Sequence, residues 1–223
     1  MDGYAPMAVY LGQEGYCLEL ELRAGSQHCQ KGTPAFLQRV LEQARRVTAA
    51  PVLLRLDSGN DAIANIAVVE AHNEHHAQAD PIHYLIKWNP CQERPEKWLT
   101  VAEQRGAWST PRPGKRVARF DWYETRTHNG YIYFLRRVMR VVERTIDKQG
   151  QQLLVPALEL EGWWTSLAFE AVVIIAFSAD HGTPEQFHSE FKTDLEIERL
   201  PSGKFATNAV ILAGAQLAYN LLR

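Results

Sequence analysis

Pro51-Val-Leu-Leu-Arg-Leu-Asp-Ser-Gly59 is a short apolar run that ends on a carboxylate and a chain-breaking Ser-Gly pair. Pro51–Leu56 reads as a strand, with Asp57 just past its carboxyl end. A helix is expected from about Asp61 to His76, with Ile63, Ile66, Ala67 and Val69 as its apolar positions. Ile82–Ile86 is a second apolar strand. Upstream, Thr33 can serve as N-cap and Pro34 as the first helical residue, and Phe36, Leu37, Val40, Leu41 and Ala44 recur at helical spacing. Two strands, each preceded by a helix, imply an α/β layer architecture. Before them, Met7–Leu11 and Tyr16–Arg23 flank Gly12-Gln-Glu-Gly15, a hairpin pattern with two conformationally permissive glycines.

The texture changes after this core. Trp88–Gly114 is polar, rich in Pro, Gln and Arg, and reads as a long irregular connection. Arg116–Arg126, Tyr131–Asp147 and Gln152–Leu158 read as strands, and Ala171–Phe177 as a buried one. Pro184–Leu195 is expected to be a helix capped by Thr183, and Thr207–Leu222 a last helix, apolar on most sides and hence buried. The resulting division is a core over 1–89, a β-rich insertion over 90–165 and a second core segment over 166–223.

Composition removes several classes. Apolar residues form 46% of the 223-residue chain and charged residues 22%, which excludes a wholly disordered polymer. The net charge of −2 creates no global field for nucleic acid, so any such partner must be read from local patches. Cys17, Cys29 and Cys91 are scattered and form no C-x-x-C, which points to a reducing, cytoplasmic setting rather than a disulfide scaffold. No secretory leader pattern is visible, and Ala171–Phe177, the longest uninterrupted apolar stretch, is too short to span a bilayer. The P-loop, dinucleotide and nucleophile-elbow motifs are absent.

Four features could carry chemistry. Asp57 sits where α/β sheets place ligands, although a carboxylate there can equally cap the following helix; Asp61, in the next turn, has a weaker case. Glu185 and Lys192 lie seven residues apart, two helical turns, and share a face; a solvated face is the plainer reading. His72 and His76 have the i, i+4 spacing that lets two imidazoles share a metal, with His75 and His83 nearby, although solvated histidines at a helix end read the same way. From Arg94 to Arg144 there are twelve Lys and Arg against five Asp and Glu. Arg112, Lys115, Arg116 and Arg119 cluster at the start of this stretch, and Arg136, Arg137, Arg140 and Arg144 alternate with aromatics later; phosphate binding and a solubilising β surface both fit.

Leu22-Arg-Ala-Gly25, Leu54-Arg-Leu-Asp-Ser-Gly59, Tyr84-Leu-Ile-Lys-Trp-Asn89, His181-Gly-Thr-Pro-Glu-Gln186 and the segment from Lys192 to Asn220 with its Leu200-Pro-Ser-Gly203 together resemble the catalytic domain of DDE transposases of bacterial insertion sequences. That family marks its third acid with Tyr-x2-Arg-x3-Glu-x6-Lys. Glu185-x6-Lys192 fits, while Ser178 and His181 stand at the Tyr and Arg positions. The resemblance implies an α/β, ribonuclease H-like mixed sheet flanked by helices, with a β-rich insertion between the second and third acids. It implies Asp57 and Glu185 as catalytic, metal-holding acids, and Mg²⁺ or Mn²⁺ as cofactor. Lys192, His181, Arg112, Lys115, Arg116 and Arg119 become the DNA-binding residues. The partners it implies are transposon ends and target DNA, with a homodimer in a synaptic complex and no membrane.

The family's first Asp lies on a strand upstream of the hairpin, whereas this chain begins at about the second strand, with Asp2 in the wrong context. The expectation is therefore an N-terminally truncated frame, little or no cleavage by the chain alone, and an open edge or a closed gap where that strand belongs. Two further readings stay open. One is a non-catalytic DNA-binding remnant, and the other a metal hydrolase built on His72, His76 and Asp80.

Overall fold

A computed structural model describes residues 3–179, 182–194 and 200–223, without the side chains of 182–185, 188 and 194. In chain order the elements begin with β1 (Met7–Leu11), β2 (Tyr16–Glu21), α1 (Thr33–Val47), β3 (Val52–Leu56), a 3-10 turn (Ser58–Asn60), α2 (Ile63–His75) and β4 (Ile82–Lys87). They continue with α3 (Pro95–Arg105), β5 (Ala107–Arg112), β6 (Lys115–His128), β7 (Tyr131–Ile146), β8 (Gln152–Thr165), α4 (Ala171–Ala179), α5 (Gly182–Asp194) and α6 (Phe205–Leu222). The chain divides into two compact units, one of residues 1–50, 71–80 and 179–223 and the other of 51–70 and 81–178.

In the first unit, β1 and β2 form the expected antiparallel hairpin. Gly12 and Gly15 take φ of 72° and 75°, the left-handed values that only glycine adopts without strain. Helix α1 buries Phe36, Leu37, Val40, Leu41 and Ala44, the five positions that its spacing selects. Its start differs from expectation. Gly32 is the N-cap residue, and the Thr33 hydroxyl donates to the carbonyl of Cys29 instead of capping. On β2, the Asn220 amide closes a two-way clasp with Cys17, accepting from its N–H at 2.8 Å and donating to its carbonyl at 2.9 Å. A side chain of α6 thereby satisfies backbone groups that a strand edge would leave open. Cys17, Leu22, Phe191, Leu212 and Tyr219 form the core of this unit.

Helix α6 is less buried than its apolar sequence suggests. Asn208, Leu212 and Tyr219 are its buried residues, while Val210, Leu217, Leu221 and Leu222 are exposed. Among the described residues it is the one helix long and apolar enough to cross a membrane by length and composition, with 17% of that window buried.

The second unit holds a six-stranded sheet of order β3-β4-β8-β7-β6-β5. The β3–β4 pair is parallel, and β4 through β5 are joined by antiparallel pairings. The insertion strands thus extend the β3–β4 sheet, and β3 stands at its edge among the described residues. Alternation along the strands sorts the core onto two faces. Trp163 packs with Leu85, Val138, Leu167 and Ile174, the last from α4. The adjacent Trp164 and Arg137 turn to the opposite face, where Arg137 lies 4.1 Å, 4.8 Å and 4.6 Å from the ring centroids of Trp88, Trp98 and Trp164. A Cβ on Gly162 would fall 2.9 Å from the Trp88 ring, so this packing requires a glycine there.

Three further sequence expectations are corrected. Ala171–Phe177 is helical, because the amides of Val173 and Ile174 bond the Glu170 carbonyl and start a helix whose one fully buried side chain is Ile174. A run of apolar β-branched residues carries no period that separates a buried strand from a helix. The polar stretch Trp88–Gly114 contains α3, started by Pro95 and anchored by buried Trp98 and Ala102 at i, i+4, and then β5. Arg137, counted among the surface cations, is 2% exposed.

Two tests follow from this packing. All six tryptophans lie at positions 88, 98, 108, 122, 163 and 164, so their fluorescence reports the second unit alone. Arg137→Ala opens a gap between indoles and removes a desolvated cation–π contact; urea unfolding followed by that fluorescence should show a loss of about 3 kcal/mol. Cys17 is buried, and that burial pushes its thiol up to about 12, whereas Cys29 and Cys91 are exposed. Native alkylation at pH 8 should therefore label two thiols, and the third only in denaturant. The folded Cys17 keeps its proton to about 12 while an unfolded thiol releases it near 9.0, so its contribution to stability falls as pH rises through that window.

Candidate functional site

The parallel pair β3–β4 ends in two loops on the same side of the sheet, because parallel strands share their carboxyl ends. Asp57 opens the first loop in extended conformation, φ −75° and ψ 174°, and is exposed. Its Oδ1 accepts the Gly59 N–H at 3.1 Å and the Asn60 side-chain amide at 2.8 Å. Asp57 therefore caps the 3-10 turn, and neither bond uses Oδ2. Asn60 is itself fixed, since its carbonyl accepts from the fully buried Asn65 at 2.7 Å. The Asn60 Oδ1 is buried with no hydrogen-bond partner.

Asp61 sits in the same loop but does different work. Its Oδ1 accepts the Trp164 indole N–H at 2.8 Å and its Oδ2 the backbone N–H of Asn89 at 2.8 Å. Both oxygens are spent tying the loop after β3 to β8 and to the segment after β4. The helix expected from about Asp61 starts later, at Ile63, which leaves Asp61 to this bridging role.

Helix α5 carries the second candidate pair. Its backbone places Glu185 and Lys192 two turns apart on one face, with Lys192 exposed near its end. The Glu185 side chain, and His181 altogether, lie outside the described residues. The helix starts at Gly182, so Thr183 falls inside its first turn rather than at the cap. Asp57 belongs to the second unit and α5 to the first.

The basic candidates divide sharply. Arg112 is exposed and pairs in register with Lys115 across the Pro113-Gly114 turn. Arg116 is already held by Glu103 and Glu143 and lies 4.3 Å over the Trp108 ring. Arg119 donates to the Ser109 hydroxyl at 3.1 Å. On β7, Arg136 pairs with Asp121 and Arg140 with Glu161, both at 2.8 Å, and Arg144 pairs with Glu159. The positive count from Arg94 to Arg144 stops short of Glu159 and Glu161, the β8 carboxylates that neutralise two of these arginines. Cross-strand pairing makes the β7 arginines structural.

The histidine pair acquires a partner that the spacing could not show. His72 Nδ1 and His76 Nε2 approach Glu42 Oε1 on α1, at 3.3 Å and 3.1 Å. Asp80, the third member expected from sequence, instead offers its backbone carbonyl to Arg45. Burial, and then the neighbouring His76, push the His72 imidazole below its ordinary value, while the histidines, His76 foremost, hold the Glu42 carboxyl below its own.

A family model described as transposase DDE domain, group 1, matches residues 1–223. The chain belongs to the DDE transposase family. Among curated proteins none matches the sequence. Transposases of this kind act on DNA and use a divalent metal held by acidic residues, and the carboxylate exposed at the end of β3 suits a hard cation of that type.

Substituting Asp57 separates its two roles. Asp57→Ala removes the acceptor of the turn and should cost about 1 kcal/mol in tryptophan-monitored unfolding. Asp57→Asn keeps an acceptor oxygen and should unfold like the parent, so any change in its handling of DNA would be chemical rather than structural.

Proposed function

We propose that this chain is the catalytic domain of a DNA transposase with a ribonuclease H-like core, in which Asp57 supplies the second acid and Glu185 the third. The observation that carries the reading is Asp57 itself. It is an exposed carboxylate on a rigid turn at the carboxyl end of a parallel strand pair, with Oδ2 spared by both of its hydrogen bonds, inside a chain matched along its length by the family. Oxygen donors of this kind suit Mg²⁺ or Mn²⁺. When bound, such ions activate water or a 3′-hydroxyl and stabilise the leaving oxygen of a phosphodiester.

The chain's own residues supply the rest. Asp57 holds its carboxylate in place through Gly59 and Asn60, so that little reorganisation is needed when a cation arrives. Lys192 offers a point charge to a DNA phosphate. Arg112 and Lys115, at the β5–β6 turn, have no ion pair among the described residues and extend that contact, whereas Arg116 must first give up its carboxylates. His181, at the position where the family carries Arg, would weaken phosphate binding near neutral pH. Residues 1–223 supply two of the three acids on this reading, so strand cleavage by this chain alone is weak. The partners are transposon ends and target DNA, handled in the cytoplasm by a synaptic pair of subunits.

The test uses a labelled duplex from the DNA flanking the coding sequence, with Mg²⁺ or Mn²⁺. Binding should weaken steeply with salt, and Lys192→Ala should lower the slope of log K against log salt by about 1. Nicking should be slight, and robust nicking lost in Asp57→Ala would refute the two-acid account. Salt-dependent binding with no nicking under any metal would favour the binding-remnant reading. Replacing Mg²⁺ with Fe²⁺ and ascorbate should cut the backbone beside both Asp57 and Glu185; cuts beside only one would show that the two acids do not share an ion.

A further inference from the structure

Helix α1 and the last turn of α2 present a donor set of a different chemical kind. Glu42 comes from α1, His72 from the final turn of α2 and His76 from the residue after its end. The His76 N–H bonds the His72 carbonyl at 3.0 Å, so the helical spacing of the two imidazoles persists past the helix end. Their ring centroids are 4.3 Å apart. The three ligand atoms, His72 Nδ1, His76 Nε2 and a Glu42 carboxylate oxygen, all lie within 4.8 Å of one another.

These distances can be compared with what an ion would impose. A tetrahedral ion with bonds of about 2.0–2.1 Å sets its ligand atoms about 3.3 Å apart. The two nitrogen-to-oxygen separations of 3.3 Å and 3.1 Å already match such an edge. The chain therefore needs only small side-chain adjustments to close on a cation. Two imidazoles and one carboxylate favour zinc-class ions over magnesium, which prefers oxygen and retains its water.

We propose that Glu42, His72 and His76 form a site for Zn²⁺ or a similar transition-metal ion, apart from the carboxylates assigned to DNA chemistry. The ion ties α1 to the end of α2. Its fourth position opens to solvent, because the Glu42 and His76 side chains are 53% and 36% exposed while His72 is 5% exposed. The opposite nitrogen of His72, Nε2, is buried with no hydrogen-bond partner. A ligand histidine normally gains basicity from such a partner, and its loss costs about 10–100-fold in affinity. The site is accordingly a micromolar-class site, on the order of 10⁻⁶ M, rather than a tightly closed structural zinc.

The experiment strips the full chain with chelator, then titrates it with Zn²⁺ by calorimetry and with Co²⁺ by visible absorption. One equivalent should bind, with the intense visible bands of tetrahedral Co²⁺, and Zn²⁺ at 100 times its dissociation constant should raise the melting temperature. Glu42→Gln changes an exposed position and His76→Ala a half-buried one, so both should keep the parent circular dichroism while weakening binding at least tenfold. Asp57→Asn should leave the titration unchanged, and excess Mg²⁺ should not displace Co²⁺. Absence of saturable binding below millimolar Zn²⁺, or binding unaltered in both folded variants, would overturn the proposal.

Discussion

The guanidinium of Arg137 sits among the indoles of Trp88, Trp98 and Trp164, and the second unit is organised around it. Its carboxylate neighbour, Glu124, lies 3.6 Å away, too far for a strong ion pair. Burial draws the Arg137 pKa down to about 10, so the side chain stays cationic at neutral pH and its charge is met by ring faces. The consequence reaches the candidate site. Trp164 donates its indole N–H to Asp61, Asp61 accepts the backbone of Asn89, and the loop so fixed begins with Asp57. A strand of the insertion thus helps to hold the loop that carries the candidate acid.

This arrangement explains why two aspartates four residues apart have unequal prospects. Asp61 has given both oxygens to neutral donors and can release neither without freeing the indole N–H of the buried Trp164 or the backbone N–H of Asn89. Asp57 has given one, to groups in its own turn. A cation approaching this loop therefore meets one available carboxylate. The plain and the functional readings of Asp57 are not rivals, because the cap orients the carboxylate through one oxygen and leaves the other.

Local rules carried the sequence reading where contacts are local. The Gly12 and Gly15 hairpin, the buried stripe of α1 and the strands around Leu54 and Ile86 were all legible, since turn chemistry and periodicity act within a few residues. Three failures share a tertiary origin. The run Ala171–Phe177 has no period, and only the Glu170 carbonyl and the packing of Ile174 make it a helix. Arg137 looked like its neighbour Arg136, although strand alternation sends consecutive residues to opposite faces and only the register shows which face holds the tryptophans. The α3 start was visible as Pro95-Glu96 with Trp98 and Ala102 at helical spacing, but the surrounding Arg and Gln obscured it.

The electrostatics of the insertion reduce to the same point about register. A linear count along β6 and β7 finds surplus cations, but a sheet pairs residues that lie far apart in sequence. Glu159 and Glu161 reach Arg144 and Arg140 from β8, and Asp121 reaches Arg136 from β6. Pairs in this setting are weak individually, yet each removes a charge that phosphate would otherwise see. With a net charge of −2, the chain cannot draw DNA by its overall field. On the function proposed above, its grip on DNA rests on a few local cations, Arg112 and Lys115 at one turn and Lys192 on α5, acting at short range on phosphates that are already close.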